Sequence, residues 1–143
     1  MQIEAVIARL KQQVSALRSV QGAAELNALR AANALPPMGL SAFVIPLGLQ
    51  GGEVTSATEL FVQDVEEQVS VLLTLRHQGR TGEAAIEKIE PLIEAVLTAL
   101  CGWAPPGVPG CFRLVRAGVA SMDKGTFTYL ITLAIGDQLR IFP

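Results

Sequence analysis

Three carboxylates that lie close together in the sequence, Asp64, Glu66 and Glu67, are the side chains best suited to chemistry. Carboxylate oxygens bind hard cations such as Mg²⁺ and Ca²⁺, so a divalent metal site is one interpretation. The surrounding segment has the pattern of a strand, and successive side chains of a strand point to opposite faces. Asp64 and Glu66 should then point away from Glu67, which favours a solvated or interfacial acidic edge over a shared metal site.

Other candidates for chemistry are weaker. Gly51 and Gly52 could cradle a phosphate, but no lysine or threonine follows at the required spacing and no helix is predicted to begin there. The single histidine, His77, ends a predicted strand and has no motif around it. The sequence contains no G-x-S-x-G elbow, no G-x-x-x-x-G-K-S/T loop and no H-E-x-x-H pair. We therefore predict no catalytic residue, no cofactor and no metal, and not an enzyme.

A proline-rich loop, WAPPGVPG, contains Trp103, Pro105, Pro106 and Pro109. Aromatic and proline groups make rigid contacts at a low entropic cost, so this loop could dock a partner. The alternative is that the loop plugs one end of the sheet, and the sequence does not separate the two.

Half of the 143 residues are hydrophobic and 17% are charged, which argues against disorder and indicates that neighbouring subunits cover some apolar surface. A net charge of −2 provides no basic field for nucleic acid or anionic lipid. Residues 41–78 are mostly acidic and residues 111–143 mostly basic in their charged positions, which is compatible with complementary faces on neighbouring copies.

The first segment is predicted to be neither a signal peptide nor a membrane span, because Glu4, Arg9 and Lys11 interrupt its apolar residues. We therefore expect the protein to stay in the cytosol in which it is made. In that reducing compartment, Cys101 and Cys111 are predicted to be buried thiols rather than a disulfide.

Periodicity predicts the elements that position these residues. Apolar spacings of three and four predict a helix over residues 3–17, a second helix over 23–32 packed beside it, and a third over 83–100 that Pro91 should kink or break. The buried stripe of the third helix is predicted to contain Ile86, Ile89, Ile93, Val96, Leu97 and Leu100. Strands are predicted at 42–47, 60–77, 111–122 and 126–135, with a flexible glycine-rich connection at 48–58. The last two strands are predicted to form a hairpin turned at residues 123–125, where Gly125 supplies the positive φ of a short turn. Residues 1–143 are predicted to form one α+β domain, with a largely antiparallel four-stranded sheet and helices on one face.

Several segments in this order resemble the tail terminator proteins of long-tailed bacteriophages and prophages. They are FVIPLGLQGGEV, ELFVQDVEEQVSVLLTL, IEPLIEAVLTALCGWAP and FRLVRAGVASMDKGTFTYLITLAIGDQLRI. The most specific parts are the VIPLG strand end, the helix ending in L-x-G-W-x-P, and the hairpin that closes on the strand before Asp137. None of these is a catalytic motif.

The resemblance implies a structural virion protein at the head-proximal end of the tail, assembled in the host cytoplasm. Such a subunit forms a homo-hexameric ring on the tail tube protein, stops tube polymerisation and binds the head connector, while DNA passes through the lumen. The expected subunit or lumen interface comprises Gln50, Gly51, Gly52, Glu53, Glu59, Asp64, Glu66 and Glu67.

Two alternatives remain open at this point. One is another head-to-tail joining or tail completion protein of the same phage machinery. The other is a small ligand-binding regulatory α+β domain, which would require a pocket with convergent polar groups.

Overall fold

The computed structural model describes residues 1–36, 39–57, 59–76, 82–123 and 125–143. Within these residues the chain forms three helices and one mixed sheet of five strands in the order β1-β2-β3-β5-β4. The elements are α1 (Ile3–Gln13), β1 (Ser19–Gly22), α2 (Ala23–Ala31), β2 (Gly39–Val54), β3 (Phe61–Arg76), α3 (Gly82–Leu100), β4 (Arg113–Asp123) and β5 (Thr126–Ile141).

The predicted α+β class is confirmed, but the prediction of four strands is wrong. The additional strand, β1, is four residues long and pairs in parallel with β2, from Ser19 opposite Ser41 to Gly22 opposite Val44. The other strand pairs are antiparallel. A strand of this length shows no readable alternation, so the sequence gives little sign of it.

The prediction that all helices cover one face of the sheet is also wrong. Helices α1 and α3 cover one face, called here the helical face, and bury the main core with the odd-numbered side chains of β3 from Val69 to Leu75. Helix α2 packs on the opposite face, where Leu26 meets Phe43 and Leu72. Because β1 and β2 are parallel neighbours, the helix that joins them has to cross over one face of the sheet.

The segment that we predicted to be a flexible connection, Gly48–Thr58, is a strand over most of its length. β2 continues to Val54 and pairs with β3 from Gly48 opposite Gln68 to Val54 opposite Gln63. Thr58 itself lies outside the described residues. β5 also runs further than predicted, to Ile141 instead of Ile135.

These extensions create a projection that we call the arm: residues 48–54 of β2, 61–67 of β3 and 135–141 of β5. β2, β3 and β5 each contain 16 residues, or about 53 Å of strand. α3, with 19 residues, is only about 28 Å long, and α1 is shorter. The helices therefore leave the arm uncovered.

Three local predictions need correction. Ile86 was expected in the buried stripe of α3, but it is 39% exposed, whereas Leu92 is buried. The helix continues through Pro91 as one element, so the predicted break does not occur. The two cysteines, Cys101 and Cys111, are exposed free thiols and not buried ones. In contrast, the predicted hairpin turn is confirmed, and Gly125 has the expected positive φ of 75°.

Glu67 ties the base of the arm to the helical layer. Its side chain is 6% exposed, and both carboxylate oxygens accept a hydrogen bond from the backbone amide of Gln2, at 3.0 and 3.1 Å. Gln2 directly precedes α1, where backbone amides lack partners inside the helix and a negative charge is favourable. A carboxylate at this buried position is therefore structural.

Removal of this carboxylate should destabilise the fold. We expect Glu67→Ala to lower the free energy of unfolding by about 2 kcal/mol, because the charge-assisted hydrogen bonds from the Gln2 amide to a buried carboxylate are lost. Urea unfolding followed by circular dichroism measures the change. Glu66→Ala, one position away but partly exposed, is the matched control and should cost less than about 1 kcal/mol. Equal losses in the two variants would contradict the capping role.

A close backbone crossing fixes the loop after α3 against the base of the arm. A Cβ atom built on Gly110 would lie 2.5 Å from the carbonyl oxygen of Gly136 in β5. Real Cβ atoms do not approach a backbone oxygen this closely, so the crossing requires glycine at position 110.

Gly110→Ala should therefore force the loop and the strand apart. The expected loss is about 1–3 kcal/mol of unfolding free energy, the usual cost of overpacking. Gly118→Ala is the control, because a Cβ there meets open space. Thermal unfolding of both variants is the measurement, and a Gly110→Ala protein as stable as Gly118→Ala would refute the close crossing.

Candidate functional site

The arm brings together most of the residues predicted to form an interface. On the face opposite α1 and α3, a shallow groove of 340 Å³ is lined by Gln50, Gly51, Gly52, Asp64, Val65 and Glu66. Pairing of β2 with β3 creates this arrangement, since Gln50 lies opposite Glu66 and Gly51 opposite Val65. The groove thus combines a glycine-lined wall with two carboxylates.

The carboxylates of the groove have partners within the subunit. Arg113 of β4 forms an ion pair with Glu66, and the side-chain amide of Gln138 donates a hydrogen bond of 3.0 Å to the carboxylate of Asp64. The hydrogen bond from Arg113, together with a weaker one from Gln68, lowers the pKa of Glu66 below its ordinary value. Part of the charge complementarity that we expected between copies is therefore satisfied inside one subunit.

Glu53 lies at the far end of the arm and Glu59 in the turn beyond it, and both are exposed. Near the turn, the amide of Thr55 donates to the carbonyl of Val62 at 2.9 Å, and the amide of Val62 donates to the hydroxyl of Ser56 at 3.0 Å. These bonds continue the pairing of the two strands almost to the tip. The acidic residues at the tip are thus carried on paired backbone.

Glu67 is the exception among the predicted interface residues. It lies on the helical face, opposite to Asp64 and Glu66, as strand alternation requires. Its carboxylate accepts hydrogen bonds from the backbone amide of Gln2, the residue before α1, and is not exposed to a partner. Within the described part of the chain, no three His, Cys, Asp or Glu side chains are grouped to hold a metal ion.

The helical face of the arm is apolar and exposed, which the sequence analysis did not anticipate. Leu49 is 51% exposed, Val54 53%, Leu139 37% and Ile141 49%. A signal was present in the sequence, because Leu139 and Ile141 share the odd-numbered parity of the apolar residues of β5, although Asp137 interrupts the apolar series after Ile135.

Where the arm meets the end of the helical layer, its apolar face forms a concave cleft that we call the notch. The notch has a volume of 150 Å³ and is lined by Met1, Gln2, Leu49, Val65, Glu67, Val108, Ile135, Asp137 and Leu139. Its walls come from three parts of the chain: the arm, the start of α1 and the proline-rich loop.

The proline-rich loop is anchored at the same end of the sheet. Trp103 stacks on Phe112, with ring centroids 6.0 Å apart, and the Arg9 guanidinium lies 5.1 Å from the centre of the indole ring. The amide of Phe112 donates to the carbonyl of Trp103 at 2.9 Å, which closes the loop. Pro105 is buried, so these groups plug the end of the core.

Other prolines of the loop remain available to a partner. Pro106 and Pro109 are exposed, and Val108 between them lines the notch. Trp103 and Pro105 therefore close the end of the core, whereas Pro106 and Pro109 form the outer surface of the loop. His77 lies outside the described residues.

Two further observations bear on the class of protein. None of the helices in the described ranges is both long and apolar enough to cross a membrane. The surface features found above are exposed apolar and acidic faces, which suit assembly with other proteins.

Comparison with known proteins agrees with this picture. Residues 1–134 match the family model described as phage tail terminator protein. A search of curated proteins gave no significant match. The family match extends over all the helices, the complete strands β1 to β4 and the core half of β5, and the chain therefore belongs to the phage tail terminator family.

Proposed function

We propose that this chain closes into a ring on the end of a phage tail tube, stops further tube growth and provides the surface to which the head connector binds. Membership of the tail terminator family supports a structural role in the phage tail. Ring formation, the tube protein as a partner and the connector as a partner are the parts that we propose.

The arm is the observation that carries this proposal. A compact monomer of 15.1 kDa is expected to expose about 7,100 Å² of surface, but this subunit exposes 8337 Å². The excess of about 1,200 Å² is of the same order as the area that a subunit buries in one or two ordinary protein interfaces, about 800 Å² each. A subunit with this much additional surface, part of it apolar, suits a multi-subunit assembly.

The two faces of the arm suit different surroundings. The apolar helical face favours contact with protein, whereas the groove with Asp64 and Glu66 favours contact with solvent. If the groove face lines the ring lumen, its carboxylates repel DNA phosphates and keep the passing genome from adhering. Gln50, Gly51, Gly52, Glu53 and Glu59 belong to the same proposed surface, whereas the buried Glu67 does not.

The exposed part of the proline-rich loop is proposed as a docking surface for the tube or connector. Pro106 and Pro109 have restricted backbones, and Trp103 and Pro105 fix the loop to the core. A loop held in this way loses little conformational freedom on binding.

Location in the particle tests the proposed function directly. Tail tubes purified from the phage that encodes this chain, incubated with the protein, should show one additional ring at one end in electron micrographs. Native mass spectrometry should give a stoichiometry of six per tube end. Protein found only on heads, or bound along the tube without a preferred end, would instead favour another joining or completion protein.

Charge reversal in the groove tests the assignment of the lumen. Asp64→Lys and the double variant Asp64→Lys/Glu66→Lys should support fewer infectious particles when they complement a phage that lacks this gene. Both side chains lie on the surface, so folding should persist, although the double variant also loses the ion pair with Arg113. Plaque titre and circular dichroism are the two measurements.

Glu87→Lys serves as the control for this experiment. It makes the same change of charge as Asp64→Lys, on an exposed position of α3 outside the arm. It should leave the titre near that of the parent. Full infectivity of the double variant in the arm would show that these carboxylates do not face the DNA or a neighbour.

A further inference from the structure

We propose that the arms of neighbouring copies join edge to edge, with the free edge of β5 in one copy pairing in parallel with the free edge of β2 in the next. This inference rests on the proposed ring and names the two surfaces that would join its subunits. The partner of the arm is therefore a second copy of this chain, and the sheet continues from one copy to the next.

Both edges of the arm lack a strand partner within the described residues. β1 pairs with β2 only at residues 41–44, and β4 pairs with β5 only at residues 126–134. The loop at Gly110 crosses β5 at Gly136, so the free edge of β5 is residues 137–141. In the arm, β2 and β5 pair only with β3, which lies between them. The amides and carbonyls of such free edges can accept a further strand.

The directions of the strands determine the type of assembly. β2 and β5 are both antiparallel to β3, so they run parallel to each other within one subunit. Rotation about a ring axis keeps the direction of each strand along that axis, so β5 of one copy meets β2 of the next in parallel. Because the two edges are unlike, the contact is heterologous and leads to a ring or an open chain rather than to a closed symmetric pair.

One register of this pairing matches the apolar side chains of the two edges. Val54 is 53% exposed and Ile141 49%. Both lie on the helical face, because they pair with Gln63 and Phe61, two odd-numbered residues of β3. When Val54 of one copy lies beside Ile141 of the next, each covers apolar surface of the other, which favours association.

The same register also places opposite charges side by side. Glu53 and Arg140 directly precede Val54 and Ile141, so strand alternation puts both on the face opposite α1 and α3. The hydrogen bond from Arg140 to the side chain of Gln138 agrees with this position. Within the described residues, neither Glu53 nor Arg140 forms an ion pair. A single parallel register therefore provides an apolar contact on one face and an ion pair on the other.

The irregularities of β2 suit a sheet that bends around a ring. Its register with β3 shifts between Pro46 and Gly48 and again between Gly51 and Val54. Bulges and glycines bend and twist a sheet, and they are the usual means by which a sheet curves and closes. Gly51 and Gly52 also have no side chains that would obstruct the close approach of another backbone. β5 shows no shift against β3 and offers a regular edge.

Disulfide trapping tests the contact between copies. In a background of Cys101→Ser and Cys111→Ser, Val54→Cys and Ile141→Cys are introduced into one chain. The protein is oxidised with diamide, both free at high concentration and bound to tail tubes, and should give covalent dimers, trimers and larger species. Within one subunit, β3 separates the two positions by two strand spacings, or about 9.6 Å, which exceeds the reach of a disulfide.

The matched control combines Ile141→Cys with Gln50→Cys, which lies on the same strand β2 but faces the groove. A yield of crosslinks no greater than that of this control, in both samples, would overturn the proposal. The single variants Val54→Cys and Ile141→Cys should give little product. If either of them forms dimers as readily as the pair, like edges meet and the proposal is wrong.

A charge swap tests the register. In the protein with Val54→Cys and Ile141→Cys, Arg140→Glu should lower the rate of crosslinking about two- to fivefold, the range for an exposed ion pair. Adding Glu53→Arg to the same chain should restore the rate. If the swapped protein crosslinks no faster than the Arg140→Glu variant, Glu53 is not the partner of Arg140 and the register is wrong.

Hydrogen exchange tests whether the backbones pair. Amides on a free edge exchange readily, whereas amides in a ladder are protected. Residues 48–54 and 137–141 should each contain amides that exchange at least about tenfold more slowly in the protein bound to tail tubes than in the monomer. Unchanged exchange in either segment would contradict strand pairing between copies.

The failure of this proposal differs from the failure of the proposed function. If the native protein caps tail tubes but the variants show no specific crosslinks, the ring is held by other surfaces. If the free protein forms specific crosslinks but does not bind to tube ends, the contact between copies is correct and the tail terminator function is not.

Discussion

The sheet of this protein is longer than the helices that cover it, and the other features of the subunit follow from this mismatch. β3 is paired on both sides along its whole length, with β2 on one side and β5 on the other. The odd-numbered side chains of β3 lie on the helical face. Those from Val69 to Leu75 are buried in the main core, whereas Phe61 and Val65 lie beyond Glu67, which accepts the amide of the residue before α1. Burial that starts inside the subunit therefore cannot be completed by the subunit alone.

Three contacts hold the arm rigidly to the rest of the molecule. Glu67 accepts the amide before α1, Arg113 pairs with Glu66 on the opposite face, and Gly110 lies directly against the backbone of Gly136. Each contact joins the base of the arm to a different element. A partner that binds the arm therefore acts on a surface whose shape is already set, which reduces the entropic cost of association.

Features encoded by local periodicity could be read from the sequence, and features that depend on pairing between distant segments could not. The alternation of β3, the stripe of α3 and the turn at Gly125 are local, and all three were predicted. The segment containing Gly51 and Gly52 has low strand propensity, yet it is a strand because β3 supplies a pairing edge for it. Similarly, Asp64 and Glu66 could be placed on one face, but only the register of β4, β5 and β3 brings Arg113 to Glu66.

Local preference and fold disagree mainly in the arm. Glycines are placed in a strand, and Leu49, Leu139 and Ile141 face solvent, so both the backbone and the side chains are at a disadvantage in the isolated subunit. Disagreements of this kind are expected where a sequence is selected for function as well as for stability. Burial of the arm by another molecule would remove the exposure of its apolar side chains. The arm would therefore be more stable in an assembly than in the isolated subunit.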